Sequence, residues 1–406
     1  NELGDLKNMM NAQEITGSQA LAYGALQAGV QLVTGYPGSP STATVEALLH
    51  LAGDQVRIEW AINEKSAFDV AFGASLAGTR ALLCLKGVGL NVALDSLMVS
   101  NLAAGDGGFV ILVGDDPGGW GSQNEQDSRP LLAAAEIPVL EPPTLADAGR
   151  VMHQAFALAE RFCVPVAVRI TRAFTSGIFA SAQDYQNSPA ILSRKQPPDR
   201  LKRQPDRYNV LPIQVVELHR RLQATLDLVQ DEFEEAALNV GEGEGELGIV
   251  AAGYSYTKLK DLLAAAGEPP VRILRLGTLH PLPEQQIAAF LRRIQAALIL
   301  EETHPYVEHQ VQAIAQRQGL SLPVYGRHSG HLPRSGELFS TEIGGALRAL
   351  LPTPWPWPDL PPEGRPRPSR TPLCEDCPYI SALEALLTVM DQNGGRDAFL
   401  VTGETG

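Results

Sequence analysis

Between residue 14 and about residue 176, short apolar runs alternate with helical stretches, and no other feature of the sequence constrains the fold as strongly. Residues 32–34, 58–62, 81–85, 109–113, 138–140 and 164–170 have strand length and are apolar almost throughout, as strands covered on both faces are. Parallel neighbours cannot be joined by a hairpin and need a crossover, usually a helix. The segments between the runs meet that need, starting with an amphipathic Ala- and Leu-rich stretch at 18–30. The expected fold class is therefore α/β, a doubly wound, mostly parallel sheet.

In such sheets ligands bind in loops at the carboxyl ends of strands. Three loops stand out: 35–42 reads GYPGSPST, 86–91 reads KGVGLN, and 114–129 reads GDDPGGWGSQNEQDSR. Glycines and prolines make the first a tight loop, and Ser41 or Thr42 is placed to cap the helix after it. The run at 58–62, read as a buried strand, ends at Asn63, a good capping residue. Glu64 then opens a helix rich in Ala, Gly and Ser. A carboxylate there is stabilised by free backbone donors and the helix dipole, so Glu64 alone reads as a helix-start acid. Together with the three loops, it would line a single crevice.

The second half repeats the alternation on a smaller scale. Residues 193–208 are basic and Pro-punctuated and read as a linker. A long helix at 213–238 follows, then GEGEG at 241–245, read as a flexible turn whose glutamates would repel phosphate. Strands are expected at 247–252, 271–276 and 297–300, with a loop at 326–337. A Pro-rich spacer precedes a last helix and a strand at 399–402. The resulting organisation is 14–192, an α/β domain; 193–246, linker and long helix; 247–350, a smaller α/β domain; 351–372, a Pro-rich linker; and 373–406, the start of another domain.

A formal charge of −14 argues against nucleic-acid binding. No signal peptide or membrane-length apolar run is visible, so the expected setting is a reducing cytoplasm. Four cysteines in 406 residues make no disulfide framework. Cys84 and Cys163 lie in apolar runs and read as inert thiols, whereas Cys374 and Cys377 form a CxxC suited to a metal or cluster. Gly105-Asp106-Gly107 precedes a strand rather than following one, which excludes it as a diphosphate–Mg²⁺ motif. His304, His309, His328 and His331 lack metal-ligand spacing.

Taken in order, VTGYPGSPST, EWAINEKSA, LKGVGLNVALDSLM, GDDPGGWGSQNEQDSR and HSGHLPRSGEL resemble the large subunit of indolepyruvate:ferredoxin oxidoreductase, in the thiamine-diphosphate-dependent 2-oxoacid:ferredoxin oxidoreductases. The resemblance runs from about Glu14 to the end of the sequence. It implies that 14–192 binds the aminopyrimidine ring, that 247–350 is transketolase-C-terminal-like, and that 373–406 begins the diphosphate-binding domain. The rest of that domain is expected on a separate polypeptide or a further C-terminal segment.

Carried over by position, Glu64 matches the acid that hydrogen-bonds the pyrimidine and assists loss of the thiazolium C2 proton. Gly35, Tyr36, Pro37, Gly38 and Ser39 match the cofactor loop, with Ser39 also near the substrate carboxylate. Lys86, Asn91, Gln123, Asn124 and Arg129 match the family's polar substrate-crevice lining, and Cys374 and Cys377 are candidate 4Fe–4S ligands. Two stretches depart from the family: Gly87 stands where relatives read His in KHVG, and Cys374 to Ile380 reads CEDCPYI where relatives read CPGCPHR.

The resemblance implies oxidative decarboxylation of an aryl or branched 2-oxoacid to an acyl-CoA, with electrons passing through Fe–S clusters to ferredoxin or another acceptor. It also implies Mg²⁺ held mainly outside this chain, a partner subunit bringing the diphosphate-binding domain and Fe–S clusters, and a dimer of heteromers that binds neither nucleic acid nor membrane. The alternative is a degenerate, non-catalytic paralogue serving as an assembly scaffold.

Overall fold

The computed structural model describes residues 14–103, 105–179, 208–267, 269–351, 355, 357 and 379–399. The chain divides into two compact units, Asn1–Pro361 and Pro362–Gly406. In the first, β1 (Ile15–Thr16) leads into α1 (Gly17–Gln27), where Thr16 and Gln19 close a reciprocal capping box. Then come β2 (Leu32–Gly35), α2 (Thr42–Leu51), β3 (Arg57–Trp60), α3 (Glu64–Leu76), β4 (Ala81–Lys86), α4 (Gly87–Val92) and α5 (Leu94–Ser100). They are followed by β5 (Phe109–Asp115), α6 (Arg129–Ala134), β6 (Val139–Leu140), α7 (Ala148–Phe162), β7 (Val166–Thr171), α8 (Arg172–Ser176) and β8 (Ile178–Phe179).

After α9 (Val215–Glu234) the chain forms β9 (Val240–Gly243), β10 (Leu247–Ala252), α10 (Ser255–Ala266), β11 (Val271–Leu276), β12 (Thr278–His280) and α11 (Glu284–Leu291). The unit continues with β13 (Ala296–Leu300), α12 (Tyr306–Arg317), β14 (Val324–Tyr325) and α13 (Ser340–Leu350). The second unit contains the helix α14 (Tyr379–Gln392).

Seven strands make the first sheet, in the order β12-β6-β7-β5-β4-β2-β3. The strands from β6 to β3 are parallel, so their carboxyl ends lie along one edge of the sheet; only β12 runs the other way. Five strands make the second sheet, β14-β13-β10-β11-β9, parallel except for β9. This is the α/β, mostly parallel fold the alternation implied.

The two sheets share one apolar layer. Leu132, Ile137 and Val139 from the first half pack in the same core cluster as Leu274, Leu276 and Ile287 from the second. Each such side chain contributes roughly 1.5–3 kcal/mol on full burial, so the layer binds the halves into one body. Small residues let α3 lie close to the sheet: Ala67 and Ala71 are buried, and Phe68 sets its ring edge-on to Phe109 at 5.2 Å.

Several expectations are corrected. The strand at 57–60 is not buried: it pairs only with β2 and forms the sheet edge, leaving Trp60 38% exposed. The loop at 86–91 is mostly the short helix α4, begun at Lys86 as soon as β4 ends. Ser41 holds the N-cap position without capping; its hydroxyl donates back to Gly38 O, while Thr42 Oγ1 accepts from Gly38 N. Within GEGEG, residues 241–243 are strand, antiparallel to β11. Cys163 is not in a strand but ends α7 in the left-handed conformation, φ 54°. The 193–207 linker, Cys374, Cys377 and the strand at 400–402 lie outside the described residues.

Candidate functional site

Four segments leave the shared carboxyl edge of the first sheet and meet one another. From β2, Gly35 packs against the Cys84 carbonyl, where a Cβ would stand 2.4 Å from the oxygen. The loop then turns through exposed Tyr36, Pro37 and Ser39, the last in a cis bond to Pro40. Gly38 lies on the Lys86 side chain, 2.9 Å from an added Cβ to the Lys86 Cβ, and Gly114 similarly receives Pro40. The first loop is thereby seated on the ends of both β4 and β5.

Glu64 follows β3. Asn63 caps α3 by accepting from Ser66 N at 2.8 Å, which satisfies a free amide donor of the first turn and fixes where the helix begins. The half-buried Glu64 carboxyl lies over α4 at Gly89, where a Cβ would come 2.7 Å from its Cγ and 2.8 Å from its Oε1. Glycine at 89 therefore makes room for the acid. Lys65, beside it, donates to Ser96 Oγ at 2.7 Å and pairs with Asp95 at 3.0 Å, tying α3 to α5. Large side chains are exposed along this stretch of the sheet edge: Trp60 ends β3, Tyr36 follows β2 beside it, and Ile62 is 87% exposed.

The long loop after β5 closes over α4. Lys86 Nζ donates to Gly121 O at 3.0 Å, and Asn91 donates to Gln126 Oε1 at 2.7 Å. Gln126 donates in turn to Gly87 O at 2.9 Å. Gln123 and Asn124 are exposed on this loop, and Asn124 borders a small polar recess with Lys86, Asp116 and Ser122. Gly87 itself faces inward, with an added Cβ 2.5 Å from Asp115 Oδ1. Asp115 is buried, takes both the N–H and the hydroxyl of Ser128, and pairs with Arg169 at 2.7 Å.

Arg129 does not belong to the crevice. It is fully buried, paired with Asp127 at 2.6 Å and Glu301 at 2.8 Å, and donates to His304 O at 3.0 Å. Asp127 engages the fork with both carboxylate oxygens, Glu301 approaches Nη1 through Oε2, and burial of the whole side chain removes it from the crevice surface. Burial would raise the Asp127 carboxyl, but the Arg129 charge outweighs it and holds the group below the usual carboxylate range. For Glu301 burial wins, and its affinity for a proton is raised.

Further contacts were not legible in the sequence. Trp120 Nε1 donates to Glu337 Oε2 at 2.9 Å, and Glu125 Oε1 accepts from Gly118 N and from Gly336 N. The crevice loop is thus latched to the loop after β14. Gln126, Glu125 and Glu337 all fall inside motifs singled out above, yet spacing carries no sign of who pairs with whom. Gly105-Asp106-Gly107 is a packing turn, with Gly107 N bonded to Ser75 O at 3.0 Å. Among the described residues no three His, Cys, Asp or Glu side chains are grouped to hold a metal, and no helix is long and apolar enough to cross a membrane.

Residues 23–239 match the family described as pyruvate flavodoxin/ferredoxin oxidoreductase, thiamine diphosphate-binding. An indolepyruvate oxidoreductase subunit IorA from Pyrococcus abyssi is 35% identical over 342 residues, 83% of this chain and 52% of the relative. The subunit of the same name from Archaeoglobus fulgidus is 32% identical, over 94% of this chain and 61% of its own length. The chain thus spans about half to three-fifths of the length of these curated relatives. A 2-oxoglutarate:ferredoxin oxidoreductase structure from Magnetococcus marinus superposes with TM-score 0.62 at 17% identity, over 78% of this chain and 62% of that one. A split-gene transketolase, an inactive β4 tetramer, superposes with TM-score 0.53 at 16% identity, over 82% of this chain and 97% of that one. The last two likenesses concern the fold alone.

Proposed function

The chain belongs to the pyruvate flavodoxin/ferredoxin oxidoreductase family of thiamine diphosphate-binding proteins, and from that premise we propose that it carries the pyrimidine half of a thiamine diphosphate site in a 2-oxoacid oxidoreductase. The observation that carries the reading is Glu64: a half-buried carboxyl at a capped helix start, kept clear by Gly89, on the sheet edge where Tyr36 and Trp60 stand exposed. A flat heteroaromatic ring bearing one basic nitrogen fits an acid placed beside apolar and aromatic side chains.

When bound, thiamine diphosphate supplies the nucleophilic carbon that cleaves the 2-oxoacid. The Glu64 carboxyl shares a proton with the pyrimidine N1′, which is general acid–base work. The 35–39 loop, seated on Lys86 through Gly38, forms the wall beside it, with Ser39 as a hydroxyl donor at the substrate end. Lys86, Asn91, Gln123 and Asn124 supply the polar side of the crevice, where a 2-oxoacid carboxylate would meet a cation and amide donors.

The names of the relatives favour an indolepyruvate-like 2-oxoacid, and the sequence resemblance extends the proposal to aryl or branched 2-oxoacids, with transfer to CoA and electrons passed to ferredoxin through Fe–S clusters. We assign the diphosphate and Mg²⁺ mainly to a partner subunit or a further C-terminal segment, and the clusters to a partner subunit, in a dimer of heteromers. One observation favours the scaffold alternative: Gly87, where relatives carry His, is packed inward on Asp115 and presents no group to a substrate.

Glu64→Gln in the assembled complex separates the two. It keeps the side chain's shape but lacks the acidic proton, so cofactor binding persists while hydrogen exchange at the thiazolium C2 falls by about 10²–10⁴-fold. Exchange at the wild-type rate would remove Glu64 from the mechanism and leave the scaffold.

A further inference from the structure

The second sheet carries a cleft that the proposed function does not use. It has a volume of ≈ 220 Å³ and lies between the β9–β11 edge and α11. Its origin is a matter of register. Gly241 pairs with Leu274 and Gly243 with Arg272, so the two positions opposite these side chains on the α11 face carry none. Gly243 needs its glycine for the backbone, at φ 72°, whereas a Cβ on Gly241 would meet nothing within 4 Å. The intervening Glu242 points to the other face, where Tyr256 and Lys260 engage its carboxylate at 2.9 and 3.4 Å.

The floor holds half-buried Arg272 and buried Leu274, and the far wall is Gln286, Ala289, Phe290 and the exposed Arg293. Neither Arg272 nor Arg293 has a side-chain partner among the described residues, and both Arg272 Nε and Gln286 Oε1 are buried without one. Elsewhere the buried guanidiniums of Arg80, Arg129 and Arg169 each have a carboxylate. Arg272 Nε is thus a buried guanidinium nitrogen without an acceptor, and Arg293, at the exposed rim, brings a second positive charge to the same cleft. A buried donor without a partner costs free energy.

We propose that this cleft binds a small organic oxyanion, a carboxylate or phosphate monoester whose flat apolar body lies on Phe290, Ala289 and Leu274 while its charge meets Arg272 and Arg293. The volume is below the ~300 Å³ at which pockets for drug-sized ligands begin, so the ligand is a small one. Guanidinium forks suit both anions.

The test uses the full chain and calorimetric titration with phenyl phosphate, benzoate and, as uncharged control, benzyl alcohol. Saturable one-site binding of either anion and none of the alcohol is expected. The tighter of the two names the anion. Arg272→Gln should weaken binding by about tenfold or more, the loss of a charge-assisted contact. Gly241→Leu fills the open space and should abolish binding without lowering the melting temperature. The proposal is overturned if neither anion saturates, if the alcohol binds equally, or if binding survives Gly241→Leu. None of these readouts depends on thiamine diphosphate or on a partner subunit.

Discussion

Arg129 Nη1 stands 2.8 Å from Glu301 Oε2, and both side chains are buried at the junction of the two sheets. Arg129 opens α6 of the first half; Glu301 follows the last residue of β13 in the second, and accepts the N–H groups of Val307 and Glu308 at 2.8 Å. The long crevice loop therefore ends at a fixed point on the other sheet.

Arg129→Met should destabilise the chain by about 3–5 kcal/mol, because it strands the buried Asp127 and Glu301 carboxylates. Chemical denaturation reads this directly. A loss under about 0.5 kcal/mol, the range of ordinary surface changes, would show that the pair is not a clamp.

Gly89→Ala pushes a methyl into the space of the Glu64 carboxyl. The carboxyl is the far end of a flexible side chain and can swing away, so folding should hold within about 1 kcal/mol while turnover of the assembled complex falls by about 10²-fold. Unchanged turnover would mean that the position of Glu64 is not critical.

Trp120→Phe or Glu337→Gln opens the latch between the crevice loop and the loop after β14. The Gly118 and Gly121 amides, bonded now to Glu125 and Asp116, should then exchange with solvent about 10-fold faster or more, the loss of one hydrogen bond to a charged group. Equal protection in variant and wild type would place the latch outside the loop's stability.

Ile62→Asp tests the partner assignment. The side chain is 87% exposed in the chain by itself, so its own stability should change by less than about 0.5 kcal/mol. If a partner covers the face around Glu64, the charge should prevent copurification of the complex; intact assembly would put the partner elsewhere.

Burial pushes the His280 imidazole down to about 4, while its ring Nδ1 lies 3.2 Å from the Tyr306 hydroxyl. The unfolded chain takes up a proton near pH 6.5 that the folded chain refuses until about 4. Stability contributed here is complete above pH 6.5 and is lost on acidification, at up to about 1.4 kcal/mol per pH unit. Denaturation at pH 7, 5.5 and 4.5 should show a steeper decline in the wild type than in His280→Asn; equal slopes would contradict it.

The alternation of apolar runs determined the α/β class and the direction of the strands, because continuous burial of short strands demands helices on both faces. It also placed Glu64, the 35–39 loop and the 86–91 segment at one sheet edge, since period and polarity are local properties. Tertiary structure decided the rest. The run at 58–62 reads as a buried strand, yet residues 57–60 form the edge strand, because strand order depends on distant partners. Arg129 sits in a motif of polar crevice residues, but Glu301, far along the chain, turns it into a buried clamp. GEG at 241–243 reads as a turn by composition and becomes a strand once Arg272 to Arg275 provides the ladder. Local sequence states what a segment prefers to bury; only the fold supplies the side chain that a charge or an unpaired backbone group finally meets.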